Sequence, residues 1–358
     1  MKKSITCIMT ACLSLSLLLS GCSKSRQTET TATTSQPLST SEKATDESVP
    51  PSGKEDLTSR TGIRIGSLKG PTSMGLVSLM DQASKGETKN VYEFTMAGKA
   101  DELVGKIANA DLDIALLPAN VAGVLYEKTQ GNITVLNINT LGVLYVVTSD
   151  DSIQSMADLK GRTIYMTGKG STPEYVMNYL LAENGLSSAD VDLQFKSEAT
   201  EVASILAKDS TAIGVLPQPF ATAACIRNKD LKTVLDLTQQ WNLLNEASGS
   251  MLVTGVTIVR SDFLRENKTA VEQFLADHKA STAFATENVQ EAAQLTADQG
   301  IVEKAPIAEK ALPLCNLVSI TGNEMKEALS GYLSVLFEQD AKSIGGTMPG
   351  DDFYYIPQ

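Results

Sequence analysis

Two short loops carry polar residues that could bind a small molecule. One reads Lys69-Gly70-Pro71-Thr72-Ser73, and the other, 100 positions later, reads Lys169-Gly170-Ser171-Thr172-Pro173. Each follows an apolar strand pattern and opens a helical one, where unpaired backbone N–H groups and a partial positive charge favour an anion or a polar acceptor. We therefore predict six ligand-binding residues in these loops: Lys69, Thr72, Ser73, Lys169, Ser171 and Thr172.

The same hydroxyls can also serve as helix caps. Thr72 or Ser73 can cap the first helix. In the second loop, Thr172 can be the cap with a proline at the first helical position, or Ser171 can pair with Glu174 in a capping box. The sequence does not choose between these arrangements. Neither loop contains an arginine, so the bidentate fork that suits oxyanions is missing there, which weakens a strictly anionic assignment.

Two amides follow repeated Leu-Pro steps. Asn120 comes shortly after Leu117-Pro118, and Gln218 comes directly after Leu216-Pro217. We predict that these amides contact a ligand from opposite sides of a cleft. Trp241 is a further ligand candidate, because its large ring lies among polar residues and could stack on a flat solute.

An internal repeat indicates two similar lobes. Residues 100–118 align without gaps on residues 199–217, and six of the 19 aligned positions are identical. Short apolar runs alternate with helical patterns in both halves, which favours an α/β fold in which each lobe is a mixed sheet flanked by helices. Ligands of such sheets bind outside the carboxyl ends of the strands, so the loops of both lobes can face one cleft.

The N-terminal segment has the layout of a secretory signal. Lys2 and Lys3 precede an apolar run, and Leu19-Ser20-Gly21-Cys22 resembles the bacterial lipobox, in which the cysteine is lipidated. Residues 23–60 contain 16 Ser or Thr in 38 positions and too few apolar side chains to fold alone. We expect a signal peptide at 1–21 and a tether at 22–60 carrying lipid on Cys22; the alternative is an ordinary cleavage that leaves this thiol free.

Composition narrows the function classes. The formal charge of −12, which becomes −14 once Lys2 and Lys3 are removed, comes with no basic run and argues against nucleic acid. The remaining Cys225 and Cys315 can be thiols or a disulfide. The single histidine, His278, is expected on the surface or half-buried face of a helix. We find no catalytic constellation, metal motif or cofactor motif, and predict a protein that is not an enzyme.

Several segments resemble one family of transport proteins. They are Ile63–Leu68, Asp113–Pro118, Leu141–Val147 and the step Asp158-Leu159-Lys160-Gly161-Arg162. Over residues 62–350 the chain resembles the solute-binding proteins of ABC importers for nitrate, sulfonate, taurine and thiamine pyrimidines. The resemblance implies a type II periplasmic binding protein-like fold, with lobe one at 62–145 plus 250–358, lobe two at 146–249, and two hinge crossings.

The resemblance also implies a function and partners. A monomer on the outer face of the cell membrane would close on a small polar, anionic or heterocyclic solute and deliver it to the ABC permease and its ATPase. The alternative is a receptor subunit that presents the closed shape to a sensor or adhesion partner. The third hypothesis, after these two, is an enzyme related to pyrimidine synthases, which share the fold.

Overall fold

The computed structural model describes residues 60–357. The predicted signal peptide, the lipidation site Cys22 and all of the predicted tether except its last residue lie outside this range. The strands are β1 (Gly62–Leu68), β2 (Val91–Ala97), β3 (Ile114–Pro118), β4 (Ile133–Leu141), β5 (Leu144–Thr148), β6 (Thr163–Met166), β7 (Asp192–Phe195), β8 (Ile213–Pro217), β9 (Lys232–Asp236), β10 (Val253–Arg260) and β11 (Leu317–Ile320).

The strands form two mixed sheets. The first has six strands in the order β11-β4-β10-β3-β1-β2, and the second has five in the order β7-β6-β8-β5-β9. β1 pairs in parallel with β2 and β3, whereas β10 runs antiparallel to both β3 and β4. In the second sheet β6 is parallel to β7 and β8, and β5 is antiparallel to its neighbours β8 and β9. The prediction of mixed sheets flanked by helices is confirmed.

Thirteen α-helices are described within residues 60–357. They are α1 (Pro71–Met74), α2 (Val77–Ser84), α3 (Ala100–Ala108), α4 (Ala119–Lys128), α5 (Thr172–Glu183), α6 (Ala199–Lys208), α7 (Phe220–Arg227), α8 (Leu237–Asn245), α9 (Ser261–Glu266), α10 (Lys268–Glu287), α11 (Val289–Asp298), α12 (Ala305–Ala311) and α13 (Gly322–Gln339). No helix of the described part combines the length and apolar character needed to cross a membrane.

The internal repeat corresponds to equivalent elements. α3 and α6 begin at the aligned positions Ala100 and Ala199, and β3 and β8 occupy the aligned ranges Ile114–Pro118 and Ile213–Pro217. Each strand is buried up to its final proline. The repeat therefore places the residues after Pro118 and Pro217 at the carboxyl ends of matching strands, where α/β sheets bind ligands.

The chain crosses between the sheets twice. β4 ends at Leu141 in the first sheet and β5 begins at Leu144 in the second, so only Gly142 and Val143 connect them. The return runs from the end of α8 to the start of β10. We call the parts built on the six-stranded and five-stranded sheets lobe one and lobe two. Leu144 and Tyr145, which the sequence division placed in lobe one, thus belong to a strand of the second sheet.

Packing explains the composition of the first crossing. A Cβ atom at Gly142 would overlap the Thr238 hydroxyl and would lie 2.6 Å from Leu252 Cδ2. Both neighbours are buried. A larger residue would therefore force apart α8 and the return crossing, which explains why glycine suits this position.

The single histidine departs from expectation. His278 lies on α10, as the pattern predicted, but its side chain is fully buried, so the prediction of a surface or half-buried residue is wrong. Its ring stacks on Phe274 with centroids 5.5 Å apart, and Nδ1 lies 3.4 Å from Asn137 Nδ2. The apolar spacing of α10 continues through this position, which turns the imidazole into the core of lobe one.

The two cysteines of the described part are free thiols. Cys225 is partly buried on α7, and Cys315 is buried with its sulfur 3.7 Å from Met74 Sδ. Burial raises the pKa of the Cys315 thiol to about 12. Of the two alternatives for Cys225 and Cys315, the structure therefore has free thiols and not a disulfide.

Candidate functional site

A cavity of about 260 Å³ opens between the two sheets. It lies at the carboxyl ends of β3, β6 and β8, where the internal repeat and the sheet topology place the ligand edge. Residues of both lobes and of the first crossing line it: Pro118, Asn120, Val121, Val143, Leu144, Thr167, Ser171, Thr172, Pro173, Pro217 and Thr254. Three of the predicted ligand residues are thus brought together, namely Asn120, Ser171 and Thr172.

Lobe one contributes the start of α4. Pro118 ends β3 and occupies the N-cap position of this helix, so no side chain caps the first turn. Asn120 is the second residue of the helix, and its Nδ2 donates to the backbone oxygen of Ser343 at 3.4 Å. The uncapped N-terminus leaves backbone N–H groups and a partial positive charge facing the cavity edge.

Lobe two contributes the start of α5, and neither predicted capping scheme is formed there. The helix begins at Thr172 with Ser171 at the N-cap position, but the Ser171 hydroxyl donates to Gly168 O at 2.7 Å rather than capping the helix. Glu174 accepts from the backbone N–H of Gly170 instead of pairing with Ser171. The hydroxyls of Ser171 and Thr172 therefore remain at the cavity wall and do not cap α5.

One hydrogen bond joins the lobes across this cavity. Thr172 Oγ1 on lobe two donates to Asn120 Oδ1 on lobe one at 3.0 Å. Both side chains are partly buried. Because the two residues come from opposite sheets, any change in the separation of the lobes at this edge changes this contact.

The cavity is lined by neutral side chains. Among the described residues that line it, none carries an ionisable group, and the polar atoms are the hydroxyls of three threonines and one serine and the amide of Asn120. Prolines, valines and a leucine supply the rest of the wall. Such a site can hold a solute with an apolar body and a head group that accepts hydrogen bonds.

A family model identifies this architecture. Residues 83–307 match the family described as ABC transporter, phosphonate, periplasmic substrate-binding protein. The chain belongs to this family. The sequence prediction of an ABC substrate-binding protein is confirmed, and every residue that lines the cavity lies inside the matched region.

Relatives and solved structures agree with this assignment. A binding protein of Brucella abortus is 23% identical over 217 residues, which are 59% of this chain and 64% of the relative, so the chain spans under two thirds of that relative's length. An ABC transporter structure from Parabacteroides distasonis has a TM-score of 0.70 at 21% identity, covering 83% of this chain and 99% of the other. The periplasmic aliphatic sulphonate-binding protein SsuA of Escherichia coli has a TM-score of 0.67 at 13% identity, covering 84% and 94%. At these identities the structures establish the fold alone.

Thr72 and Ser73 of this family member do not cap a helix, contrary to the cap prediction. Both hydroxyls donate backward to Leu68 O, at 3.1 and 2.6 Å, and Gly70 occupies the N-cap position of α1. Both side chains are buried and do not line the cavity. A Cβ atom at Gly255 would lie 2.9 Å from Thr72 Cγ2, so the Thr72 methyl packs beside the residue that follows the cavity-lining Thr254.

Gln218 lies behind the cavity rather than in its wall. Its neighbour Pro217 lines the cavity, but the Gln218 side chain is only 2% exposed. Oε1 accepts from the Thr222 hydroxyl at 2.8 Å, while Nε2 has no hydrogen-bond partner among the described residues. The amide thus holds the start of α7 and keeps one donor unused next to the site.

The remaining predicted residues do not line the cavity. Lys69 is exposed, and Lys169 is exposed with its Nζ 5.9 Å from the centroid of the Phe195 ring. Trp241 is fully buried, because residues 237, 241 and 245 of α8 share one inward face while the polar neighbours lie on the other face. Its ring is therefore not available to a solute in this arrangement.

Sequence reasoning missed several wall residues. Thr167 follows the end of β6 directly, as Gln218 follows β8, and Asn120 lies two residues after β3, so a search for polar residues just after the strands could have found it. Val143 and Thr254 lie on or beside the crossings between the lobes. No spacing pattern in the sequence indicates that these two side chains face the same space.

Proposed function

We propose that this chain is an extracytoplasmic solute-binding protein of an ABC importer. The observation that carries the proposal is the cavity between the lobes, lined from both sides and bridged by the bond between Thr172 and Asn120. A solute that contacts both lobes favours their closed arrangement, because it binds that arrangement more tightly than the open one. The closed form then delivers the solute to the permease and its ATPase.

The lining supports a class of solute. Uncapped helix starts at α4 and α5 and several hydroxyls favour acceptor oxygens, while the proline and valine walls favour an apolar body. Glu174 in the first turn of α5 offsets part of the positive end of that helix. A phosphonate or sulfonate of low charge with a short carbon chain fits these features, in keeping with the family description and with the solute named for SsuA.

The proposal includes location and chemistry. The chain is exported and anchored through lipid on Cys22, with residues 23–60 as the tether, and it acts as a monomer. The binding role needs no catalysis, and we expect the protein to release its solute unchanged.

The first test is ligand-dependent stability. Unfolding of residues 60–358 is followed with alkyl sulfonates, alkyl phosphonates, inorganic oxyanions, pyrimidines and amino acids. A ligand at 100 times its Kd stabilises the fold by about 2.7 kcal/mol, which raises the midpoint of a chain this long by several degrees. We expect a rise with sulfonates or phosphonates. A rise only with pyrimidines or amino acids would refute the solute class, and a flat response to all would refute the binding role.

Cavity variants test the site itself. Asn120→Ala and Thr172→Val each remove one side of the contact between the lobes, and each should weaken binding of the stabilising compound about tenfold, since the hydrogen bond that joins the lobes is lost. Asn242→Ala serves as the control, because Asn242 is exposed on the outer face of α8. Isothermal titration measures the affinities. Unchanged affinity in both cavity variants would place the site elsewhere.

A further inference from the structure

Three aromatic rings join the lobes beside the cavity. Tyr332 on α13 of lobe one is fully buried, and its ring centroid lies 5.5 Å from that of Trp241 on α8 of lobe two. Trp241 in turn lies 4.6 Å from Tyr179 on α5. We call these three residues the aromatic seam. Tyr332 and Trp241 therefore pack against each other across the boundary between the lobes.

The Tyr332 hydroxyl of this seam lies next to the cavity wall. Burial raises the pKa of this phenol, and the neighbouring Thr172 hydroxyl acts in the opposite direction. The phenol oxygen is nevertheless buried without a hydrogen bond of good geometry to any described residue. The Thr172 hydroxyl donates to Asn120 Oδ1, so its oxygen lone pairs are free to accept a hydrogen bond from Tyr332.

Other polar groups along the aromatic seam are also buried without a hydrogen-bond partner within the described residues. Trp241 Nε1, Thr238 Oγ1 and Ser250 Oγ are buried and have no partner among the described residues. Thr238 packs against Gly142 at the first crossing, and a Cβ atom on Gly331, the residue before Tyr332, would lie 3.3 Å from Ser250 Oγ. Buried polar groups are nearly always hydrogen-bonded, so the unpaired groups where the lobes meet can form bonds in a slightly different lobe arrangement.

We propose that Tyr332 is a positioning residue for solute binding that acts through Thr172, an inference that rests on the proposed function. When a solute draws the start of α5 toward lobe one, the Tyr332 hydroxyl donates to Thr172 Oγ1, and Thr172 continues to donate to Asn120. The Thr172 hydroxyl is then held between two partners on lobe one. A bond that exists only in the loaded arrangement adds to affinity and not to the stability of the empty protein.

The test compares two Tyr→Phe variants of the seam. Tyr332→Phe removes the unpaired hydroxyl and should weaken binding of ethanesulfonate or ethylphosphonate about fivefold to tenfold, while the empty protein melts at or above the wild-type midpoint. Tyr179→Phe is the matched control. Its hydroxyl donates to Asn245 Oδ1 at 3.2 Å within lobe two, so this variant should lower the midpoint and leave the affinity unchanged.

Two further readouts separate positioning from packing. In the Thr172→Val background, Tyr332→Phe should have no additional effect on affinity, because the acceptor is gone. Trp241 is the single tryptophan of the chain, so its emission reports the seam directly. The emission change caused by the bound compound should shrink in Tyr332→Phe.

The outcomes decide separately on the two proposals. Wild-type affinity in Tyr332→Phe, or additive losses with Thr172→Val, overturns the role of Tyr332. A melting point of empty Tyr332→Phe as low as that of Tyr179→Phe also overturns it, whether or not a compound binds, because the hydroxyl would then be bonded already. A wild-type protein that binds neither compound counts instead against the proposed solute class, and the empty-state midpoints still decide on Tyr332.

Discussion

Replacing Asp113 with alanine should lower the free energy of unfolding by about 3 kcal/mol, because this buried carboxylate satisfies several donors at once. Its side chain is 3% exposed, and Oδ2 accepts from both the backbone N–H and Nε of Arg64 at 2.9 Å. Arg260 approaches Oδ1 to 3.5 Å and is itself 13% exposed. Truncation leaves these donors without their acceptor directly before β3, the strand that leads to Asn120.

The size of the effect is bounded by the remaining partners. Arg260 keeps a bidentate pair with Asp262, at 3.0 and 3.1 Å, and Arg64 is 41% exposed and can be hydrated, so the loss stays at the low end for a broken buried pair. Asp81→Ala is the control, since its pair with Lys85 is an exposed contact one helical turn apart and should cost about 0.5 kcal/mol or less. Denaturant unfolding measures both. Equal losses in the two variants would contradict the structural role of Asp113.

Much of the fold was predictable because strand patterns and an internal repeat are local signals. The apolar run at Ile63–Leu68 is β1, and the repeated Leu-Pro steps end β3 and β8 at aligned positions. Helix limits were less predictable. α1 and α2 are separated at Gly75 and Leu76, where a Cβ atom on Gly75 would lie 3.3 Å from Thr282 Oγ1 of α10. That contact is between distant segments and leaves no local trace in the sequence.

The candidate site was also predictable only in part. Asn120, Ser171 and Thr172 were found because residues after parallel strands share one edge of a sheet. Lys69 and Lys169 were predicted from the same loops, and Trp241 from its polar neighbours, but these side chains lie in solvent or in the core. Tyr332 gave no signal, since a tyrosine within an amphipathic helix is usually core packing.

Acid should destabilise the protein through His278. Burial lowers the pKa of this imidazole to about 4, from 6.5 when it is exposed in the unfolded chain. Between these two pH values the unfolded chain binds a proton that the folded protein does not, so the free energy of unfolding falls as the pH falls from about 6.5 to about 4. A shift of this size corresponds to about 3 kcal/mol, an order-of-magnitude figure.

The surroundings of His278 explain why no other group compensates. Desolvation is the one cause of the lowered pKa, and the neighbours of the ring are Phe274, Asn137 and Thr282, which carry no charge. Asn137 Nδ2 faces Nδ1, and a protonated ring would present N–H groups on both sides, which turns this contact into two opposed donors. Protonation therefore disrupts the core of lobe one rather than a surface pair.

A matched variant isolates this effect from general acid denaturation. His278→Gln should unfold more readily at pH 7 than the wild type but should show little change in stability between pH 6.5 and 4.5, because no group at this position then titrates. The carboxylates with lowered pKa values, such as Asp150, Asp190 and Asp262, lose their contribution only as the pH falls below about 4, the range of an unperturbed aspartate. Urea unfolding at half-unit pH intervals gives the slopes. If wild type and His278→Gln lose stability in parallel across pH 6.5 to 4.5, another group titrates there, and the buried imidazole is not the acid-sensitive element of lobe one.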